Sequence, residues 1–231
     1  KAELQEIWES KLEPVYPYRK AGPAVEKING SLTAPAAPKI GVAKPKVIIP
    51  VFPGTNCEYD TAKAFARAGA DPEILVVRNL TPADVAESCE ALVKAIDASQ
   101  IVMLPGGFSG GDEPDGSAKF IASFFRNPAV TEAGRDLLQH RDGLMLGICN
   151  GFQALIKLGL AAYGDIRSIT ACDPTLTFNT IGRHQSMLVR TRIASTGSPW
   201  LSKCAVGDEH TVAISHGEGR FVAPQEVLDT L

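Results

Sequence analysis

The sequence predicts an α/β fold in which a doubly wound, mostly parallel sheet carries helices on both faces, preceded by an N-terminal linker. Three observations lead there. Short apolar runs, VIIPVF from Val47, EILVV from Glu73 and IVMLP from Ile101, lack polar alternation, as strands buried on both faces do. Segments of helical spacing separate them, the pattern of βαβ crossovers. A further apolar run, GLMLGI from Gly143, passes through Cys149 straight into the amphipathic stretch NGFQALIKLGL, a strand–turn–helix junction with the cysteine at its apex.

Taken in order, residues 1–44 read as linker. KAELQEIWESKLEP is a short charged helical piece ending near Pro14, and YPYRKAGP and LTAPAAPKIGVAKPK are rich in proline, alanine and lysine. Its length is that of a tail left by a preceding domain. The folded part spans 45–231. After VIIPVF, the stretch CEYDTAKAFARAGA carries Ala62, Phe65 and Ala66 at helical spacing. The helix after EILVV has explicit start signals. Thr81 sits at the N-cap, Pro82 takes the first helical position, and Val85, Leu92, Val93 and Ile96 carry the apolar stripe to Asp97. IVMLP leads into the loop GGFSGGDEPDG, then a helix over SAKFIASFFR, another around Ala129–His140, and the strand that delivers Cys149. The last third changes character: SMLVRTRIA and HTVAISHGEGRFVA are extended antiparallel segments, and PQEVLDTL opens a helix. In doubly wound sheets ligands sit beyond the carboxyl ends of the strands, where both the Gly106 loop and Cys149 fall.

At 231 residues and 45% hydrophobic content the chain can bury a substantial core. Its net charge of −3 is spread over mixed acids and bases without a lysine or arginine run, which argues against nucleic acid or a membrane surface as partner. The five cysteines are odd in number, irregularly spaced and without a CxxC pair, so neither a disulfide framework nor a metal cage is indicated. A reducing cytoplasm fits them. No apolar run reaches the length a bilayer requires.

The chemistry centres on the elbow. Gly147 and Gly151 flank Cys149 and let the chain turn sharply, so that the thiol is presented in a strained backbone geometry. The helix that follows aims unpaired amide hydrogens and its positive end at the sulfur, the setting that favours a thiolate. The paired glycines of LPGGFSGGDE can turn a backbone amide towards the same crevice, and the amide of Asn150, directly after the nucleophile, supplies a second donor. Together they would hold the oxygen anion of a tetrahedral acyl intermediate. From the residues alone, a protease, an amidase, an esterase-like hydrolase and a thiol sensor all remain open.

PGGFSGGDEPDGSAKFIASFF together with GICNGFQALIKLGL resembles the class I, triad-type glutamine amidotransferases. PVFPGTNCEYDTAKAFARAGA, PTLTFNTIGRHQSMLVRTRI and ISHGEGRFVA are similar to the glutaminase domains of the phosphoribosylformylglycinamidine synthases, a likeness over about residues 45–224. The resemblance implies that Cys149 attacks the side-chain amide of L-glutamine, that ammonia leaves, and that water hydrolyses the resulting thioester. It implies that Gly106, Gly107, Phe108 and Asn150 surround the oxyanion and the glutamine, while Gln153 lines the glutamine pocket. It implies a synthetase domain as partner, with ATP and magnesium bound there and no cofactor or metal in this domain. Residues 1–44 resemble the tail of the synthetase region in single-chain forms.

In that family the catalytic histidine and acid lie in a HxE segment near the carboxyl terminus, and this sequence stops before one. HGEG does present His216 and Glu218 with the same one-residue gap, and in an extended segment alternation would put both on one face as base and orienter. The resemblance instead makes HGEG a separate motif of pocket or interface structure. Cys57, Cys89, Cys172 and Cys204 read as small apolar filler without metal-like spacing. His140 sits near a helix end and His210 has no evident partner. Asn56, Glu58, Arg183 and His184 lie in family-like stretches with no role that chemistry alone derives.

Overall fold

The computed structural model describes residues 2–11, 14, 41–111 and 116–229. Most of the linker predicted over 1–44, and the DEPD part of the loop after Phe108, lie outside them; the opening helix is present as α1 (Ala2–Ser10). The chain divides into two compact units, one holding 38–177 and 221–231, the other 1–37 and 178–220.

The first unit is built on four parallel strands, β1 (Lys46–Val51), β2 (Asp71–Val76), β3 (Ile101–Leu104) and β4 (Leu144–Gly147), in the order β2-β1-β3-β4. The chain moves from β1 outward to β2 through α2 (Glu58–Arg67), then crosses back over β1 to β3 through α3 (Pro82–Asp97), and on to β4 through α4 (Lys119–Phe125) and α5 (Pro128–Gln139). Crossovers that leave β1 in opposite directions, with the right-handedness such connections generally have, put helices on both faces of a doubly wound sheet. Burial follows the layering. β1 and β3 are central and wholly buried along their cores, whereas β2 and β4 are half-exposed edges. Ile48, Val102 and Leu104 join Leu92, Ile96, Ile121, Phe125, Leu137 and Leu158 in one apolar cluster, while Met103 points to the other face, against Phe65 and Ala64 of α2.

Local chemistry explains the helix boundaries. Thr81 accepts from the Asp84 amide at 3.1 Å and the Asp84 carboxylate accepts from the Thr81 amide at 3.0 Å, a complete capping box with Pro82 in the first turn. At the far end of α3, the Arg141 guanidinium donates to the carbonyls of Ile96, Asp97 and Ser99 and so closes the exposed helix end. Asn127 caps α5 by accepting from the Ala129 amide at 3.0 Å. α4 begins two residues later than SAKFIASFFR suggests, because Ala118 takes a left-handed conformation, φ 56°, at its N-cap.

Beyond the elbow, α6 (Asn150–Leu158) packs on β3, β4 and α4 and is followed by α7 (Leu160–Tyr163). β5 (Thr175–Thr177), which the apolar pattern did not suggest, forms a two-stranded sheet with β8 (Arg220–Val222), and α8 (Gln225–Leu228) follows. The second unit is dominated by an antiparallel ladder of β6 (Gln185–Arg192) with β7 (Glu209–His216), in register from Gln185↔His216 to Arg192↔Glu209. Among the described residues no helix is long and apolar enough to cross a membrane.

Candidate active site

The carboxyl ends of β1, β3 and β4 converge on one crevice. The loop after β1 and the loop after β3 are joined by an antiparallel bridge between Thr55 and Gly107: the Asn56 amide donates to the Gly106 carbonyl at 3.2 Å and the Phe108 amide to the Gly54 carbonyl at 2.9 Å. In that pairing the amide of Gly107 itself faces away from the Thr55 strand. Gly107 has φ 140°, and a β-carbon there would lie 2.4 Å from the Gly54 carbonyl oxygen, so only glycine fits. Ser109 then anchors the loop to the elbow helix, its amide donating to Asn150 Oδ1 at 3.2 Å.

Cys149 is the strained residue of the elbow. It is exposed, at φ 56° and ψ −112°, directly before the first turn of α6. A non-glycine residue held there costs on the order of 1–3 kcal/mol, strain that surrounding contacts must offset. The flanking glycines serve another purpose than the sharp turn expected of them, because neither has a positive φ. A β-carbon on Gly147 would stand 2.5 Å from the Gly151 carbonyl oxygen, and one on Gly151 would stand 2.0 Å from the Leu104 carbonyl oxygen. Their missing side chains let α6 lie directly on β3 and β4. The Gly151 amide then donates to the Pro105 carbonyl at 3.1 Å, fastening the elbow to the loop that carries Gly106.

The residues expected around the thiol are placed as follows. Gly106 lies against Cys149: a β-carbon on it would meet the Cys149 Cβ at 3.2 Å and Sγ at 3.7 Å. Gly107 follows with its amide turned away from the bridge. Asn150 and Gln153 are buried, and the Asn150 Nδ2 donates to Gln153 Oε1 at 3.0 Å, so these two side chains brace the helix start from below. Phe108 donates its amide to the Gly54 carbonyl at 2.9 Å and is 57% exposed beside the crevice.

His216 and Glu218 do not form the same-face pair that alternation predicts. β7 ends at His216 and the chain bends at Gly217, so the two-residue period stops before Glu218. The His216 ring is oriented instead by Asn179. Asn179 Nδ2 donates to the carbonyls of Arg183 and His216 at 3.0 and 2.7 Å, which fixes the amide with Oδ1 towards His216 Nδ1 at 2.9 Å. Since Oδ1 can only accept, Nδ1 carries the hydrogen and Nε2 keeps its lone pair in the neutral ring. His216 and Glu218 belong to the second unit, Cys149 to the first. His140 belongs with Cys149 but lies at the C-cap of α5, a strand's length away at the other end of β4, where Asp136 engages it at 3.3 Å.

One residue of the crevice escaped sequence reasoning. Cys57 closes the loop after β1, and its Sγ lies 3.6 Å from the same β-carbon point of Gly106 that Cys149 Sγ approaches to 3.7 Å. The two thiols therefore face each other across a residue without a side chain. Desolvation, then the negative charges of Cys149, Asp60 and Glu58, push the Cys57 thiol above its ordinary value, and it donates to Asn56 Oδ1 at 3.1 Å. The available signal was position: a loop following a central parallel strand opens into the same crevice as its neighbour's loop. Beside Cys57, Glu58 Oε2 is buried without a hydrogen-bond partner among the described residues, leaving an acceptor at the start of α2. A groove of about 410 Å³ between α2 and the sheet is lined by Phe65, Met103, Leu146 and Ile148, among others, and is too apolar for a polar amino acid.

The family model described as CobB/CobQ-like glutamine amidotransferase domain matches residues 44–231. A phosphoribosylformylglycinamidine synthase subunit PurQ of Rubrobacter xylanophilus is 36% identical over 186 residues, covering 80% of this chain and 70% of that one. The corresponding subunit of Mycolicibacterium paratuberculosis is 37% identical over 188 residues, covering 80% and 69%, and that of Methanococcus maripaludis is 33% identical over 192 residues, covering 81% and 63%. The chain thus spans about two thirds of the length of these relatives. A chain of the PurLQS structure from Thermotoga maritima superposes with a TM-score of 0.58 at 24% identity, over 78% of this chain and 70% of that one, a likeness of fold.

Proposed function

The chain belongs to the CobB/CobQ-like glutamine amidotransferase domain family, and on that premise we propose that it is the glutaminase component of a phosphoribosylformylglycinamidine synthase, supplying ammonia to purine biosynthesis. The observation that carries the reading is the exposed Cys149 at positive φ, opening α6 and facing Gly106 across the crevice.

In this reading the Cys149 sulfur attacks the side-chain carbonyl carbon (Cδ) of L-glutamine, and the carbonyl electron pair moves onto oxygen. The amides of Gly107 and Asn150 receive that oxyanion; each such donor is worth on the order of 3 kcal/mol in the barrier. The intermediate collapses as the proton given up by the thiol passes to the nitrogen and ammonia leaves, giving a γ-glutamyl thioester, and water attack on the thioester returns the thiol and glutamate. Asn150 and Gln153 act as braces for the donor, and the free acceptor on Glu58 suits the ammonium group of an amino acid. The scheme needs no cofactor from this chain. ATP and magnesium belong to the synthetase component, which is the proposed partner, with residues 1–44 read as linker towards such a domain and the cytoplasm as the setting.

The test is glutamate release from L-glutamine, measured with and without a synthetase component. The reading expects slow hydrolysis by the chain alone, faster hydrolysis in the complex, and loss of both on Cys149→Ala. Undiminished hydrolysis by Cys149→Ala would contradict it.

The Cys57–Cys149 juxtaposition favours a second reading, a thiol sensor on the same fold. Peroxide would oxidise the Cys149 thiolate to the sulfenic acid with release of hydroxide, and the Cys57 thiol would attack that sulfur, the sulfenic hydroxyl leaving with the thiol proton as water and a disulfide remaining. A Cys57–Cys149 disulfide formed by peroxide in a chain unable to hydrolyse glutamine in the complex would establish that reading over the first.

A further inference from the structure

We propose that the connection between β6 and β7 is a binding site for a zinc-type divalent cation, with Cys204, Asp208 and His210 as its ligands. The spacing Cys-x3-Asp-x-His follows no familiar zinc pattern, which is why the sequence suggested no metal here. The fold brings the three together. Cys204 Sγ, an Asp208 carboxylate oxygen and a His210 ring nitrogen all lie within 4.8 Å of one another. Tetrahedral zinc with its usual bond lengths needs ligand atoms about 3.3–3.6 Å apart, so the three side chains would draw closer together on binding.

The backbone that presents them is fixed by its own hydrogen bonds. The Ile193 amide donates to the Asp208 carbonyl and the Gly207 amide to the Ile193 carbonyl, both at 2.8 Å, extending the ladder beyond β6. The Cys204 amide donates to the Leu201 carbonyl at 2.9 Å, closing a short 3-10 turn. Gly207, at φ 99°, allows the chain to reverse so that residues 204 and 208 come side by side. His210 is held in register opposite Thr191.

The carboxylate is oriented as well. The Ala205 amide donates to Asp208 Oδ2 at 2.8 Å, which leaves Oδ1 for a metal and supplies the outer hydrogen bond that ligating carboxylates usually have.

The ligand chemistry selects the ion. One thiolate, one imidazole and one carboxylate form a mixed set suited to zinc or cobalt, and the two anionic ligands balance a dication; calcium and magnesium prefer oxygen alone. Asp208 and His210 are exposed and Cys204 is partly so, which provides an entry path and leaves a fourth position for water or a partner's side chain.

Cobalt(II) titration of the metal-stripped full chain is the test. The expected result is one equivalent bound, with the intense visible bands of a tetrahedral site and a thiolate-to-cobalt charge-transfer band. That band should vanish in Cys204→Ser, persist in the Cys57→Ser/Cys149→Ser double variant, and need at least tenfold more cobalt in His210→Ala. These ligands lie at the surface, so far-ultraviolet circular dichroism of the variants should match the parent. Absence of a charge-transfer band, or its loss in the double variant with retention in Cys204→Ser, would overturn the proposal.

Discussion

Gly106 and Cys149 stand opposite each other across the mouth of the crevice, with room between them for hydrogen and for little else: a β-carbon at 106 would be 3.2 Å from the Cys149 Cβ and 3.7 Å from its sulfur. Gly106→Ala is therefore expected to shift the thiol by a few tenths of an ångström and to crowd the acyl carbon it must attack. We expect glutaminase activity of the complex to fall roughly 10- to 100-fold, with little change in thermal midpoint. Full activity in the alanine variant would show that this approach does not define the nucleophile's position.

Gly151→Ala makes the opposite split. Its β-carbon would meet the Leu104 carbonyl oxygen at 2.0 Å, backbone against backbone, where no rotamer change gives relief. The expected loss is at least about 3 kcal/mol of stability, read as a lower denaturant midpoint, with activity lost only through unfolding. A stable Gly151→Ala would mean that α6 does not rest on β3 as closely as described.

Cys57 provides a test of the thiol pair. Its thiol is held up by desolvation first and by the charge of Cys149 second. Removing that charge in Cys149→Ala should bring Cys57 back towards its ordinary value. Alkylation of Cys57 by iodoacetamide at pH 8, followed by peptide mass spectrometry, should then be faster than in the parent. An unchanged or slower rate would separate the two thiols.

These contrasts mark how far the sequence was legible. The central parallel strands could be read because Val47–Pro50 of β1 and the whole of β3 are buried and carry only apolar side chains, and α3 because Thr81, Pro82 and Asp84 write its start in local chemistry. The elbow was legible as a strand meeting a helix at Cys149. What was not legible depends on contacts between distant segments. The bridge from Thr55 to Gly107 engages the Phe108 amide and brings Cys57 to Cys149. The two glycines around Cys149 look like turn residues until the closeness of the Leu104 carbonyl to Gly151, and of the Gly151 carbonyl to Gly147, shows them to be packing residues. Alternation failed at HGEG because Gly217 ends the strand, a local break that periodicity cannot register.

Asp173 sets a limit on acid stability. The Tyr163 hydroxyl first, then the amide and hydroxyl of Thr170, hold its carboxyl down to about 2, and Arg167 adds an ion pair at 2.9 Å. A carboxyl lowered from its ordinary value of 3.8 contributes stability that is fully present above about pH 4 and is lost as the pH falls towards 2. The parent should therefore exceed Asp173→Asn in thermal midpoint at pH 7, and the gap should narrow steadily between pH 4 and pH 2. A gap independent of pH would assign the difference to packing.

One sulfur, at residue 149, is the proposed nucleophile for glutamine. Its most direct measurement is intact-mass and peptide-mapping analysis of the chain in complex with a synthetase component after exposure to 6-diazo-5-oxo-L-norleucine. The predicted result is a single adduct on Cys149, slowed by excess L-glutamine and absent in Cys149→Ala. Adducts spread over the five cysteines, or labelling indifferent to L-glutamine, would contradict it.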